Sequence, residues 1–216
     1  MNDIIQTIAV YALPVLFAIT LHEAAHAYAA KYFGDPTAYQ AGRMSMNPIK
    51  HVDPLGTIVI PVLMYMFTPF VFGYAKPVPI DFNRLRNPKR QMAWVALAGP
   101  FANFVMALGW MILALFINAF GGAEFFAKMA RAGILVNLLV FAFNLVPIPP
   151  LDGGRILTSI LPDALAYKFA RIEPYGFFIV LALLYFNILN FWVGPLMYLT
   201  NAVLRTLVFP LSFLLG

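Results

Sequence analysis

Six long apolar segments, about 4–30, 55–72, 91–120, 133–147, 174–190 and 191–215, take up most of a 216-residue chain. A run of roughly 20 apolar residues is long enough to cross a bilayer, and in hydrocarbon every backbone N–H and C=O must find its partner within the protein. A chain patterned in this way folds as a polytopic membrane protein, and the spanning elements are helices. Composition agrees, with 62% hydrophobic residues, 11% charged residues and a mean hydropathy of +0.82, outside the range of soluble domains. The first run opens on Asn2 and Asp3 instead of a basic segment and continues to about Ala30, so it reads as a retained span and not a cleaved signal. No repeat, low-complexity tract or linker breaks the pattern, which predicts one domain over residues 1–216.

The net charge of +5 gathers in GYAKPVPIDFNRLRNPKR, at Lys76, Arg84, Arg86, Lys89 and Arg90. Basic juxtamembrane loops face the cytoplasm, so this charge orients the chain in the cell membrane and implies lipid and membrane-protein partners instead of nucleic acid. The loops at 31–54 and 74–90 are both basic and should both be cytoplasmic. A full crossing at 55–72 conflicts with that, and Pro61 and Pro69 interrupt the segment, so a re-entrant or surface-lying element is expected there. The helices at about 4–30, 91–120 and 133–161 then form a three-helix core, with further membrane helices toward the C-terminus. Small residues such as Ala24, Ala27, Ala96, Gly99 and Ala107 suit close packing in that core. Residues 37–52 alternate loosely between Pro36 and Pro54, which predicts a short membrane-associated strand or hairpin. Its edge could pair with an extended peptide.

Within the first apolar run stands LHEAAHA, with His22, Glu23 and His26. Ionisable residues in a span cost about 2.5–3.5 kcal/mol each on insertion scales and mark function. Positions i and i+4 share a helix face, so both imidazoles can bind one zinc ion while the intervening glutamate serves as general base. Structural hydrogen bonding of the histidines to neighbouring helices is the weaker alternative. Catalytic zinc takes three protein ligands and keeps one position open. Most of the nine acidic residues lie in loops; the exception is Asp152, in FNLVPIPPLDGGRIL. Prolines 147, 149 and 150 break the helix just before it, which makes Asp152 the candidate third ligand. A capping role at a helix restart is the alternative. Asp53, between Pro48 and Pro54, reads as a local cap, and a second metal site with His51 is the competing reading.

HEAAH on one membrane helix and NLVPIPPLDGGRIL on a later one resemble the site-2 protease family of intramembrane zinc metalloproteases. GRMSMNPIKHVDPLGT, GYAKPVPIDFN and AGPFANF resemble stretches of its compact prokaryotic members. The resemblance implies hydrolysis of transmembrane protein substrates, with His22, His26 and Asp152 as zinc ligands and Glu23 as base. It places the metal inside the bilayer, reached from the cytoplasmic side. It further implies substrate-positioning roles for Asn144 and Pro150, and a site-facing role for Asn103, whose amide could donate to the oxyanion; helix-to-helix hydrogen bonding is the equal alternative for Asn103. A metal transporter or a non-proteolytic membrane chaperone would use similar polar residues, but neither requires a glutamate beside the first of two histidines.

Overall fold

In a computed structural model, residues 2–51, 53–60 and 76–215 are described. Eight α-helices follow one another among them: α1 (Asn2–Phe33), α2 (Thr37–Gln40), α3 (Pro88–Ala119), α4 (Glu124–Asn144), α5 (Asp152–Ile160), α6 (Asp163–Ala170), α7 (Glu173–Tyr185) and α8 (Asn190–Leu215). Four of these, α1, α3, α4 and α8, are long and apolar enough to cross a membrane. The protein is a multi-pass membrane protein, all-helical among the described residues.

The helices distribute their side chains as lipid-immersed helices do. Large apolar groups such as Phe17, Phe101, Phe116, Leu135 and Leu139 are exposed, whereas Ala18, Ala24, Ala27, Ala96, Ala107, Ala130 and Ala142 are buried. Without a hydrophobic drive between helices in lipid, association depends on close backbone approach and on polar contacts, which small inward residues permit. Accordingly α1, α3 and α4 pack against one another, α5 packs on α3, and α8 lies against α3 and α4. Ala107, Leu138 and Leu204 join α3, α4 and α8 in one buried cluster. A second cluster, built on Ala142, Val146, Val180, Leu189 and Val193, fastens α7 and the start of α8 to the end of α4.

Two sequence expectations change. The element expected over 133–161 is two helices, because the proline-rich stretch after Asn144 ends α4 and α5 begins afresh at Asp152. The restart is compact: a Cβ at Gly153 or Gly154 would run into the backbone of residues 145–149, so only glycine fits there. The strand or hairpin expected near 37–52 has no counterpart among the described residues. That segment instead forms α2, a turn at Gly42 with φ of 65°, and a 3-10 turn over Pro48–Lys50. Asn47 caps that turn by accepting from Ile49 N at 3.1 Å, and Pro48 supplies a first-turn residue with no N–H to place; local capping outcompetes strand pairing. Asp53 likewise accepts from Gly56 N at 2.7 Å, capping the turn over Pro54–Val59. The expectation for 55–72 falls mostly on residues 61–75, outside the described residues.

Residues 76–80, which form no helix or strand, lie beside α1, where Val78 N donates to Glu23. Buried Asp35 anchors this stretch, accepting from Thr37 N at 2.9 Å with one oxygen and from Asp81 N at 2.8 Å with the other. Val78 packs with Ala27 and Ala38 in a small core, which brings the stretch over the face of α1 that carries Glu23.

Candidate active site

His22 and His26 lie one turn apart on α1, and Asp152 opens α5. All three are buried. His22 Nε2 and His26 Nε2 are 3.0 Å apart, and Asp152 Oδ2 lies 3.2 Å from the first and 3.3 Å from the second. Gly99 of α3 makes this convergence possible, since a methyl group there would press against both imidazole rings.

The opposite ring nitrogens establish what those three atoms carry. His26 Nδ1 is 2.7 Å from the carbonyl of Val95, which can only accept, so Nδ1 bears the proton. His22 Nδ1 is 2.7 Å from Asn103 Oδ1. The Asn103 amide is oriented by its own donors, since Nδ2 donates to Ala18 O at 3.1 Å and to Asn137 Oδ1 at 3.0 Å. Asn137 in turn donates to Gly133 O at 2.9 Å. The oxygen of Asn103 therefore faces His22 and accepts from its Nδ1. Both Nδ1 atoms are thus committed as donors, and the two Nε2 atoms face each other and a carboxylate oxygen.

The two Nε2 atoms and the carboxylate meet in one buried cluster, and Asp152 Oδ2 has no hydrogen-bond partner. A buried acceptor left this way is costly, and a cation at the centre of the cluster satisfies all three atoms at once. Zinc bonds of about 2.0–2.1 Å at tetrahedral angles separate ligand atoms by about 3.3 Å, close to the separations found. The donor set of two imidazoles and one carboxylate is that of catalytic zinc sites. These three residues form the one group of metal-ligating side chains among the described residues.

Glu23 is half-buried, and its Oε2 accepts from Val78 N at 2.8 Å. Val78 sits between Pro77 and Pro79, so it offers the only N–H of that triplet. Asn144, at the end of α4, donates to Val140 O at 3.0 Å within its own helix, and Pro150 is exposed in the break. Neither has a hydrogen bond to the three clustered residues among the described residues. His51 is buried and its Nε2 lies 2.7 Å from Ser45 O, apart from the cluster. Sequence reading overlooked Asn137 and Val78. The first carries the same signal as Asn103, an amide inside an apolar span; the second is a backbone donor, marked only by its flanking prolines.

A membrane helix bundle with a buried His–His–Asp cluster and an adjacent glutamate has the features of a metallopeptidase centre built inside a bilayer. The model for peptidase family M50 matches residues 119–187. The chain is 38% identical over 178 residues to "Putative zinc metalloprotease YwhC" of Bacillus subtilis, covering 79% of this chain and 78% of that one. It is 34% identical over 187 residues to "Putative zinc metalloprotease Rip2" of Mycolicibacterium smegmatis, covering 85% and 69%. With "Zinc metalloprotease MJ0392" of Methanocaldococcus jannaschii the identity is 25% over 185 residues, covering 84% and 44%. No solved structure matches significantly. The chain belongs to peptidase family M50, the site-2 protease family, and is an intramembrane zinc metalloprotease.

Proposed function

We propose that His22, His26 and Asp152 hold the zinc of this protease, and that Glu23 is its general base. The observation that carries the assignment is the meeting of three metal-ligating atoms within 3.3 Å of one another in a buried site, one of them otherwise unpartnered. Bound there, zinc would supply Lewis acidity to the scissile carbonyl and to the attacking water. Glu23 takes a proton from that water and delivers it to the leaving amine. The Val78 N–H holds one carboxylate oxygen of Glu23, which leaves the other to accept the proton.

Asn103 is assigned to orienting His22 in place of an oxyanion contact, since its oxygen and its amide hydrogens are engaged within the bundle. Asn144 and Pro150, beside the break that leads to Asp152, remain the candidates for positioning substrate. The catalytic core comprises α1, α3, α4 and α5 within a single domain over 1–216. The basic stretch from Lys76 to Arg90 supports a cytoplasmic placement of the α1 end nearer the site. Substrates are transmembrane proteins, and a substrate helix must unwind locally, because a helix bonded along its length presents no extended scissile bond.

The test uses wild type, Glu23→Gln and His26→Ala purified in detergent, with bound zinc measured and a panel of transmembrane substrates supplied. Zinc in wild type and Glu23→Gln, its loss from His26→Ala, and cleavage by wild type alone are expected. Zinc retained in full by His26→Ala removes that residue from the ligand set, and undiminished cleavage by Glu23→Gln removes the base.

A further inference from the structure

Two arginines stand inside candidate spans at the end of the bundle away from the zinc site. Arg131 lies seven residues into α4, about 10 Å from its start, and Arg205 lies ten residues before the end of α8, about 15 Å inside it. The only carboxylate on either helix is Glu124, which pairs with Lys128 at 2.9 Å. Neither Arg131 nor Arg205 forms an ion pair among the described residues. An unpaired guanidinium within a span is expensive and calls for an anion or a route to water.

The two arginines line one recess of about 320 Å³ between α4 and α8, together with Leu135, Leu138, Met197 and Asn201. The helices run antiparallel here, since Ala142 packs near Val193 while Leu138 packs near Leu204. Arg131 also borders a recess with Gln6 and Tyr11 of α1, and Tyr11 precedes His22 by eleven residues, about 16 Å along the helix. The recess thus lies toward the end of the bundle away from the proposed zinc site. Leu135 on its wall and the adjoining Leu139 and Leu199 are 47–61% exposed, so it opens toward hydrocarbon.

We propose that this recess binds one anionic phospholipid. Arg131 and Arg205 bridge the phosphate, Asn201 donates a further hydrogen bond, and one acyl chain follows Leu135, Leu138 and Met197. Charge complementarity selects the anion, because two cations converge where no carboxylate among the described residues pairs with either. The apolar walls select a lipid over a free anion. A volume of 320 Å³ is at the small end for ligand sites, and seats a headgroup and the start of a chain instead of a whole lipid.

The experiment is native mass spectrometry of the full-length protein in neutral detergent, titrated with phosphatidylglycerol or phosphatidylcholine. One phosphatidylglycerol per chain, bound at least tenfold more tightly than phosphatidylcholine, is expected. Arg131→Gln/Arg205→Gln should lose that preference while keeping wild-type zinc content, and Arg131→Lys/Arg205→Lys should keep most of it. Equal binding of the two lipids by wild type overturns the proposal, as does an undiminished preference in the glutamine variant. Displacement of phosphatidylglycerol by equimolar inorganic phosphate would show a free-anion site and overturn it too. Should the glutamine variant fail to fold, the wild-type selectivity and the lysine variant decide.

Discussion

Asn103→Leu removes the amide that joins α1, α3 and α4 while keeping the side-chain volume. It strands two buried groups, the Nδ1–H of His22 and the Oδ1 of Asn137, in place of contacts of 2.7 and 3.0 Å. A buried polar group stripped of its partner costs about 1–3 kcal/mol. Losing the partner behind a metal-ligating histidine lowers metal affinity or activity about 10–100-fold, which corresponds to about 1.4–2.8 kcal/mol. The two estimates coincide, because the cost of the unpaired Nδ1–H is the same energy that otherwise holds the ring in register for the metal. With no acceptor at Nδ1, His22 is also free to carry its proton at Nε2, where a ligand needs a lone pair. Zinc affinity should therefore fall ten- to hundredfold. Competition against a chromogenic chelator measures that fall, with cleavage followed in parallel as zinc is raised to saturation. Substantial recovery of cleavage at high zinc is expected for a positioning residue. Unchanged zinc affinity with cleavage still depressed at saturation would mean that Asn103 meets the reacting carbonyl, and the reasoning would be wrong.

Gly99→Ala should abolish zinc binding, since its methyl would lie 2.6 Å and 2.7 Å from the Cε1 atoms of His26 and His22; elemental analysis showing one zinc per chain would refute this. Val78→Pro removes the one donor to Glu23 among the described residues and should lower kcat by about tenfold or more with zinc content unchanged, a fraction of the 10²–10⁴ available to general acid–base catalysis. Unaltered kcat would separate Val78 from the base. Asp163 on α6 pairs with Lys89 at the start of α3, and the hydrogen bond and charge of that lysine hold its carboxyl below the ordinary 3.8. A depressed folded-state value means that the stabilisation is complete above the unfolded value and is lost as pH falls through the folded one. Melting curves should show a small loss below about pH 4 that Asp163→Asn lacks; an identical acid profile in the variant would remove this pair as its source.

The three residues proposed as metal ligands could be picked out in the sequence because each stands out against hydrocarbon. His22 and His26 need only a helix to share a face, and Asp152 was singled out by the prolines that end α4. The longest helices follow equally from apolar length, although α4 begins well before 133, where the Glu124–Lys128 pair carries its first turns through a polar region. Asn103 was harder to read, because an amide donates and accepts equally well and only its neighbours choose. His22 Nδ1, Ala18 O and Asn137 Oδ1 are those neighbours, and they come from two other helices, α1 and α4. The stretch at 37–52 misled for a related reason: alternation and prolines describe a strand and a series of capped turns alike. The Val78 donor belongs to the backbone, which has no letter of its own.

The proposed zinc ligands are distributed so that two arrive early in the chain and the third arrives 126 residues after the second. During synthesis, a growing chain that has inserted α1 and α3 offers a metal only two imidazoles. Tight capture waits for Asp152, by which time α4 has been made and Asn137 is available to tie it to its neighbours. On that assignment, the site is complete only once the bundle that confines it has been made.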